Sequence, residues 1–134
     1  ILATDIDEKV LTRAHVGCYD QRTLREVPTE ILARFFNQSG RQSCVDESIR
    51  NVVRFKRHNL TEDASPAGMD LVLCRYLAFT YYRGQRRRQA AERLWAAMKP
   101  GAALMIGRKE ELGPLEEEMF EGWLGAKVVF RKRI

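Results

Sequence analysis

The sequence predicts an α/β fold built on a mostly parallel sheet, and three observations lead there. Asp70-Leu71-Val72-Leu73-Cys74 is a short run, apolar but for its acid, that follows Pro66 and Gly68. Such a run reads as a strand covered on both faces. Residues 1–4 and 103–106 form similar runs. Segments of helical periodicity lie between these runs, and strands alternating with helices favour parallel pairing.

The chain has 134 residues, enough for one domain with a real core. At 45% hydrophobic and 31% charged it is globular and not disordered. No apolar run reaches membrane-spanning length. The first residues lack a basic start and a cleavage region, so no signal peptide is expected. The chain opens inside an apolar run without Met, as though cut from something longer. Net charge is +5. Arg86-Arg87-Arg88 and Arg131-Lys132-Arg133 suit phosphates, but Glu116-Glu117-Glu118 offsets them. With no nucleic-acid motif, a soluble basic domain is the expectation, and nucleic acid is not an expected partner. Cys18, Cys44 and Cys74 are odd in number and far apart. No pair has metal or redox spacing, which points to a reducing, cytoplasmic interior.

The first strand ends at Asp5. Asp7 caps a helix from Glu8, with Val10, Leu11 and Ala14 on its apolar face and Gly17 ending it. Residues 23–27 connect to a second helix, opened by Pro28 and striped by Ile31, Leu32, Phe35 and Phe36. Residues 37–40 read as a polar breaker, and 42–48 as a weakly patterned ribbon or loop. Residues 52–57 alternate apolar and basic, a strand with one wetter face. Residues 61–68 form a loop before the 70–74 strand. Residues 85–98 form a helix with Ala90, Ala91, Leu94, Trp95 and Met98 on one face. Lys99-Pro100-Gly101 stops it. A strand over 103–106, a short acidic helix over 115–120 and a strand over 127–130 complete the chain.

Chemistry concentrates after the strands, where open α/β sheets bind ligands. Asp5 follows one strand, and an ionised carboxylate there accepts from two ribose hydroxyls at once. Its bland alternative is a helix cap, a role Asp7 fills better. Asn59 follows another strand. Its amide donates and accepts, as a nucleobase edge requires, although an ordinary turn Asn explains it equally well. His58 and His15 read as packing or surface residues. Tyr76, Thr80, Tyr81 and Tyr82 make a hydroxyl-rich lip or part of the core. A P-loop, a nucleophile elbow, a zincin helix and a G-x-G-x-x-G run are absent.

Taken together, these segments resemble the C-terminal catalytic domain of the CheR-type methyltransferases. The matching residues are Ile1-Leu2-Ala3-Thr4-Asp5-Ile6-Asp7, then Leu11-x-x-Ala14-x-x-Gly17-x-Tyr19. The helix with Pro28 and Phe35-Phe36 follows, then Val53-x-Phe55-x-x-His58-Asn59-Leu60. Asp70-Leu71-Val72-Leu73-Cys74-Arg75 and residues 94–107 complete the match. The resemblance implies a class I methyltransferase, Rossmann-like sheet with helices on both faces. It implies one partial domain over 1–134, with a short variable insertion at about 37–48 that leaves little room for a substantial inserted β-subdomain.

It also implies S-adenosyl-L-methionine as cofactor, S-adenosyl-L-homocysteine as product, and transfer of a methyl group to a protein or small-molecule acceptor. Asp5 would hold the ribose, and Asn59 and Leu60 would flank the adenine. Arg75 and Tyr76 would lie along the cofactor toward its methionine end. Three departures stand out. The family's Gly-containing first motif and its helical domain would precede Ile1, and without the first strand the chain is expected to self-associate. Tyr76 stands where the family has Asn. Thr80 aligns with the family's Tyr near the transferred methyl, and Tyr81 occupies a Phe position, so these two are the catalytic candidates. The alternative is a non-catalytic domain that keeps the fold for binding or assembly.

Overall fold

The computed structural model describes residues 1–134, which divide into two compact units, Ile1–Asn59 and Leu60–Ile134.

In the first unit, β1 (Leu2–Asp5) pairs in parallel with β5 (Arg54–Arg57), with Leu2 opposite Arg54 and Asp5 opposite Arg57. Between them runs α1 (Glu8–Val16). The Asp7 carboxylate accepts from the Lys9 amide and caps its start, as expected. Gly17 closes it at φ 67°, and a Cβ there would come within 2.9 Å of the Arg50 side chain. Next come β2 (Cys18–Asp20), a 3-10 turn over Gln21–Leu24 and α2 (Thr29–Phe35). Then follow β3 (Phe36–Ser39), β4 (Gln42–Val45) and α3 (Glu47–Arg50).

The polar stretch after Phe36 is thus no breaker. Strands β2, β4 and β3 form a separate three-stranded antiparallel sheet in that order. This sheet is small, and it draws its third strand from Cys18–Asp20, outside the 37–48 segment. Its strands are short and mostly exposed, so no apolar alternation marks them. The reading of the cysteines is also corrected. Cys18 and Cys44 face each other at one register position of β2 and β4 and form a disulfide. Antiparallel pairing brings together residues 26 apart, which spacing rules cannot detect. Cys74 remains a free, buried thiol.

In the second unit, a four-stranded sheet has the order β6-β7-β9-β8, from β6 (Met69–Cys74), β7 (Met98–Ile106), β8 (Phe120–Gly122) and β9 (Val129–Lys132). Only β6 and β7 are parallel; β9 runs antiparallel to β7 and β8. The short helices α4 (Ala78–Tyr81) and α6 (Pro114–Glu117) flank α5 (Gly84–Ala97) in the chain. Ala90, Ala91 and Leu94 of α5 join Cys74, Leu104 and Ile106 in the core. Trp95 departs from the expected face and is 37% exposed. Its ring carries the Lys132 ammonium at 3.7 Å, and that ammonium also donates to the Trp95 and Met98 carbonyls at the end of α5.

Covering of β6 on both faces is not observed. Val72 and Cys74 face the core, while Leu71 and Leu73 are 55% and 62% exposed. The apolar run reads the same whether one face or both are covered, because period-2 alternation is missing.

Candidate functional site

At the first edge, β1 and β5 end side by side. The His58 amide donates to the Asp5 carbonyl at 2.9 Å, carrying the pairing one residue beyond the strands. Asp5 is half-buried, and one of its carboxylate oxygens accepts from the Asp7 amide at 2.9 Å. This turn fixes the acid at the strand end while Asp7 caps α1, so the two acids do separate jobs. Asn59 lies two residues past the end of β5 and is buried, as is His58. The structure therefore places Asp5 and Asn59 on one sheet edge. Leu60 opens the second unit and packs against its core.

At the second edge, β6 ends in Cys74, and the chain turns sharply before α4. Arg75 is exposed, with its guanidinium 5.6 Å from the centre of the Tyr76 ring. Tyr76 adopts φ 54°, a left-handed conformation that costs a residue with a side chain about 1–3 kcal/mol. Such a conformation persists only where its surroundings hold it, and here Glu110 does. The Tyr76 amide donates to its carboxylate at 2.7 Å, the Gly107 amide at 2.7 Å and the Thr80 hydroxyl at 2.6 Å. The Leu77 amide adds a further bond. Burial alone would push the Glu110 carboxyl up, but these four donors outweigh it and hold the pKa below the usual carboxylate range.

The Tyr76 ring lies over Gly107, where a Cβ would come within 2.6 Å of it, and its hydroxyl accepts from the Arg108 amide at 3.3 Å. Thr80 is half-buried, and its proton is committed to Glu110; Tyr81 is 72% exposed. Glu110, Gly107 and Arg108 escaped the reading from sequence. No local signal marked them, since only the parallel pairing of β7 with β6 brings Gly107-x-x-Glu110 to the same carboxyl edge as the turn. Elsewhere in this unit a polar cleft of about 590 Å³ opens beside the start of α5, lined by Thr61, Glu62, Arg83, Gln85, Arg86 and Gln89. None of the expected site residues lines it.

An acid and an amide thus lie at the carboxyl ends of two paired parallel strands, the edge at which open α/β sheets bind ligands. The fold is that of the class I S-adenosylmethionine-dependent methyltransferases. The chain matches the N-methyltransferase NodS of Bradyrhizobium japonicum, solved with S-adenosyl-L-homocysteine, at TM-score 0.55 and 13% identity, over 98% of this chain and 65% of that one. Within that class the chain belongs to the CheR methyltransferase SAM-binding domain family, whose model matches residues 1–128. The cofactor of that family domain is S-adenosylmethionine. A chemotaxis protein methyltransferase of Listeria innocua is 30% identical over 112 residues, 84% of this chain and 42% of that protein. An uncharacterised 104.1 kDa protein of Rhodobacter capsulatus is 32% identical over 118 residues, 88% of this chain and 12% of that protein. The chain thus spans less than half the length of these relatives.

Proposed function

We propose that this chain is cofactor-binding machinery of an S-adenosylmethionine-dependent methyltransferase, acting on a protein or small-molecule acceptor. The observation that carries the reading is Asp5 beside Asn59 at the ends of two paired parallel strands. The donor set suits an adenosyl group. A carboxylate accepts from both ribose hydroxyls, and an amide matches the mixed edge of adenine. On the family resemblance, Asp5 would hold the ribose, Asn59 and Leu60 would flank the adenine, and Arg75 and Tyr76 would lie toward the methionine end. When bound, the cofactor supplies a methyl group already activated for transfer. The residues of the chain then contribute position rather than proton transfer.

The acceptor is not expected to be a chemoreceptor glutamate. Thr80 replaces the family's Tyr, and its hydroxyl proton is spent on Glu110. Tyr81 is the exposed hydroxyl beside it and is our candidate for meeting the acceptor. The Thr80–Glu110 bond also favours a second reading, a domain that binds the cofactor without transferring its methyl group.

The test is calorimetric titration of the full-length protein with S-adenosyl-L-homocysteine. Asp5→Ala is expected to weaken binding roughly 10- to 150-fold, the equivalent of about 1.5–3 kcal/mol for a hydrogen bond to a charged group. Unchanged affinity removes Asp5 from the site. Binding without transfer of labelled methyl to any acceptor in a cell extract supports the second reading.

A further inference from the structure

We propose that Glu110 is the positioning residue of this site, holding the turn after β6 in its cofactor-binding shape. The proposal rests on the methyltransferase reading above. Glu110 contributes no surface of its own, being buried. Yet its two carboxylate oxygens gather donors from three separate places: the turn (Tyr76), the following helix (Thr80) and the end of β7 (Gly107). An acid that only plugged the core would need fewer partners. An acid that acted as a base would need its lone pairs free.

The geometry instead ties a left-handed residue with a side chain, Tyr76 at φ 54°, to the end of the neighbouring strand. Tyr76 is then fixed at three points. Its amide is on Glu110, its ring lies over Gly107, and its hydroxyl is on the Arg108 amide. Arg75, adjacent to it, is thereby presented at the sheet edge. A neutral amide at position 110 keeps the shape but loses the charge that strengthens these bonds; with its one oxygen on the Tyr76 and Gly107 amides, its N–H₂ replaces the atom that accepts from the Thr80 hydroxyl.

A second buried glutamate in the same unit supplies the comparison. Glu116 pairs with Arg87 and accepts from the Gly113 amide, and it makes no bond to the turn.

The experiment uses the full-length protein and S-adenosyl-L-homocysteine, at a temperature where every variant is folded. Glu110→Gln is expected to weaken binding at least tenfold and to move the Tyr76 and Gly107 amide proton resonances upfield. Glu116→Gln is expected to lower the melting temperature and leave affinity within twofold. Should Glu110→Gln fail to fold, Gly107→Ala displaces the Tyr76 ring from the other side and is expected to weaken binding likewise. If the wild type binds and the folded variant at 110 or 107 binds equally well, Glu110 is a structural cap and the proposal falls alone. If the wild type does not bind, the methyltransferase reading falls and takes this proposal with it.

Discussion

Arg87 and Glu116 form a nearly buried ion pair, with Nε 2.9 Å from Oε1 and only 4% of the Glu116 side chain exposed. The same guanidinium donates to the Phe79 and Glu111 carbonyls, and its carbon lies 5.4 Å from the centre of the Phe79 ring. One side chain of α5 therefore fastens α4, the loop before α6 and α6 itself. Removing one partner leaves the other charge without its counter-ion in poorly solvated surroundings. Glu116→Ala is expected to destabilise the protein by roughly 3 kcal/mol, the low end for a buried pair because Arg87 keeps some contact with water. Urea unfolding measures this. A loss below about 1 kcal/mol would place the pair with ordinary surface bridges.

The Cys18–Cys44 disulfide closes a loop that contains the 3-10 turn, α2 and β3. The residues are 26 apart, and restricting an unfolded loop of that length stabilises the folded state by about 3 kcal/mol. Cys18→Ser is expected to lower the unfolding free energy by that order. A reductant should lower the melting temperature of the wild type and leave the variant unmoved. Equal melting temperatures with and without reductant would mean that the bond contributes nothing.

What the sequence revealed and what it hid divide along physical lines. Asp7, Gly17 and the helix bearing Ala90, Ala91 and Leu94 were legible because capping and helical period are local signals. Asp5 and Asn59 were legible as strand-end residues. Cys18 and Cys44 were not, because their meeting depends on how β2 and β4 pair. Strand β3 was hidden because a short, exposed strand has no apolar alternation. Glu110 was hidden because a buried acid in a basic, glutamate-rich tail has the same sequence signature as a solvated one. Leu71 and Leu73 misled in the opposite sense, since an apolar strand promises a cover that the described residues do not provide.

The acid side of stability should report on Glu110. Its folded pKa lies below its unfolded value, about 4.3 for a glutamate, because four hydrogen bonds outweigh burial. A depressed carboxyl stabilises the fold above the unfolded pKa, and that contribution is lost as pH falls toward the folded one. Asp46 acts in the same direction, through hydrogen bonds from the side chains of Ser48 and Asn37 and from the Ser48 amide. Unfolding free energy is therefore expected to drop as pH falls through and below the unfolded carboxylate range, about 4. In Glu110→Gln that drop should be shallower, so the gap between variant and wild type narrows on acidification. A gap that stays constant over this range would show that Glu110 does not titrate with folding.

The last expectation concerns the open edges. Strand β1 pairs only with β5, and β6 only with β7, so each leaves one row of backbone N–H and C=O groups outside a sheet. On β6 the problem is compounded by one face. Leu71 and Leu73 project to the same side as Ala103 and Met105, their register partners on β7, and Val129 continues the row beyond Met105. The start of the strand is guarded, since Asp70 pairs with Lys99 at 2.7 Å, but no charge guards positions 71–74. Unpaired edges beside an exposed apolar face are templates for another chain. The 134-residue chain by itself is accordingly expected to self-associate with rising concentration. Leu73→Lys places a charge in the middle of this face and should shift the population toward monomer, at little cost in stability because the side chain is 62% exposed. Sedimentation velocity of the two chains across a concentration series is the measurement. A wild type that remains monomeric throughout, or a variant that associates as strongly, would show that the open face and edge of β6 do not drive contact between copies.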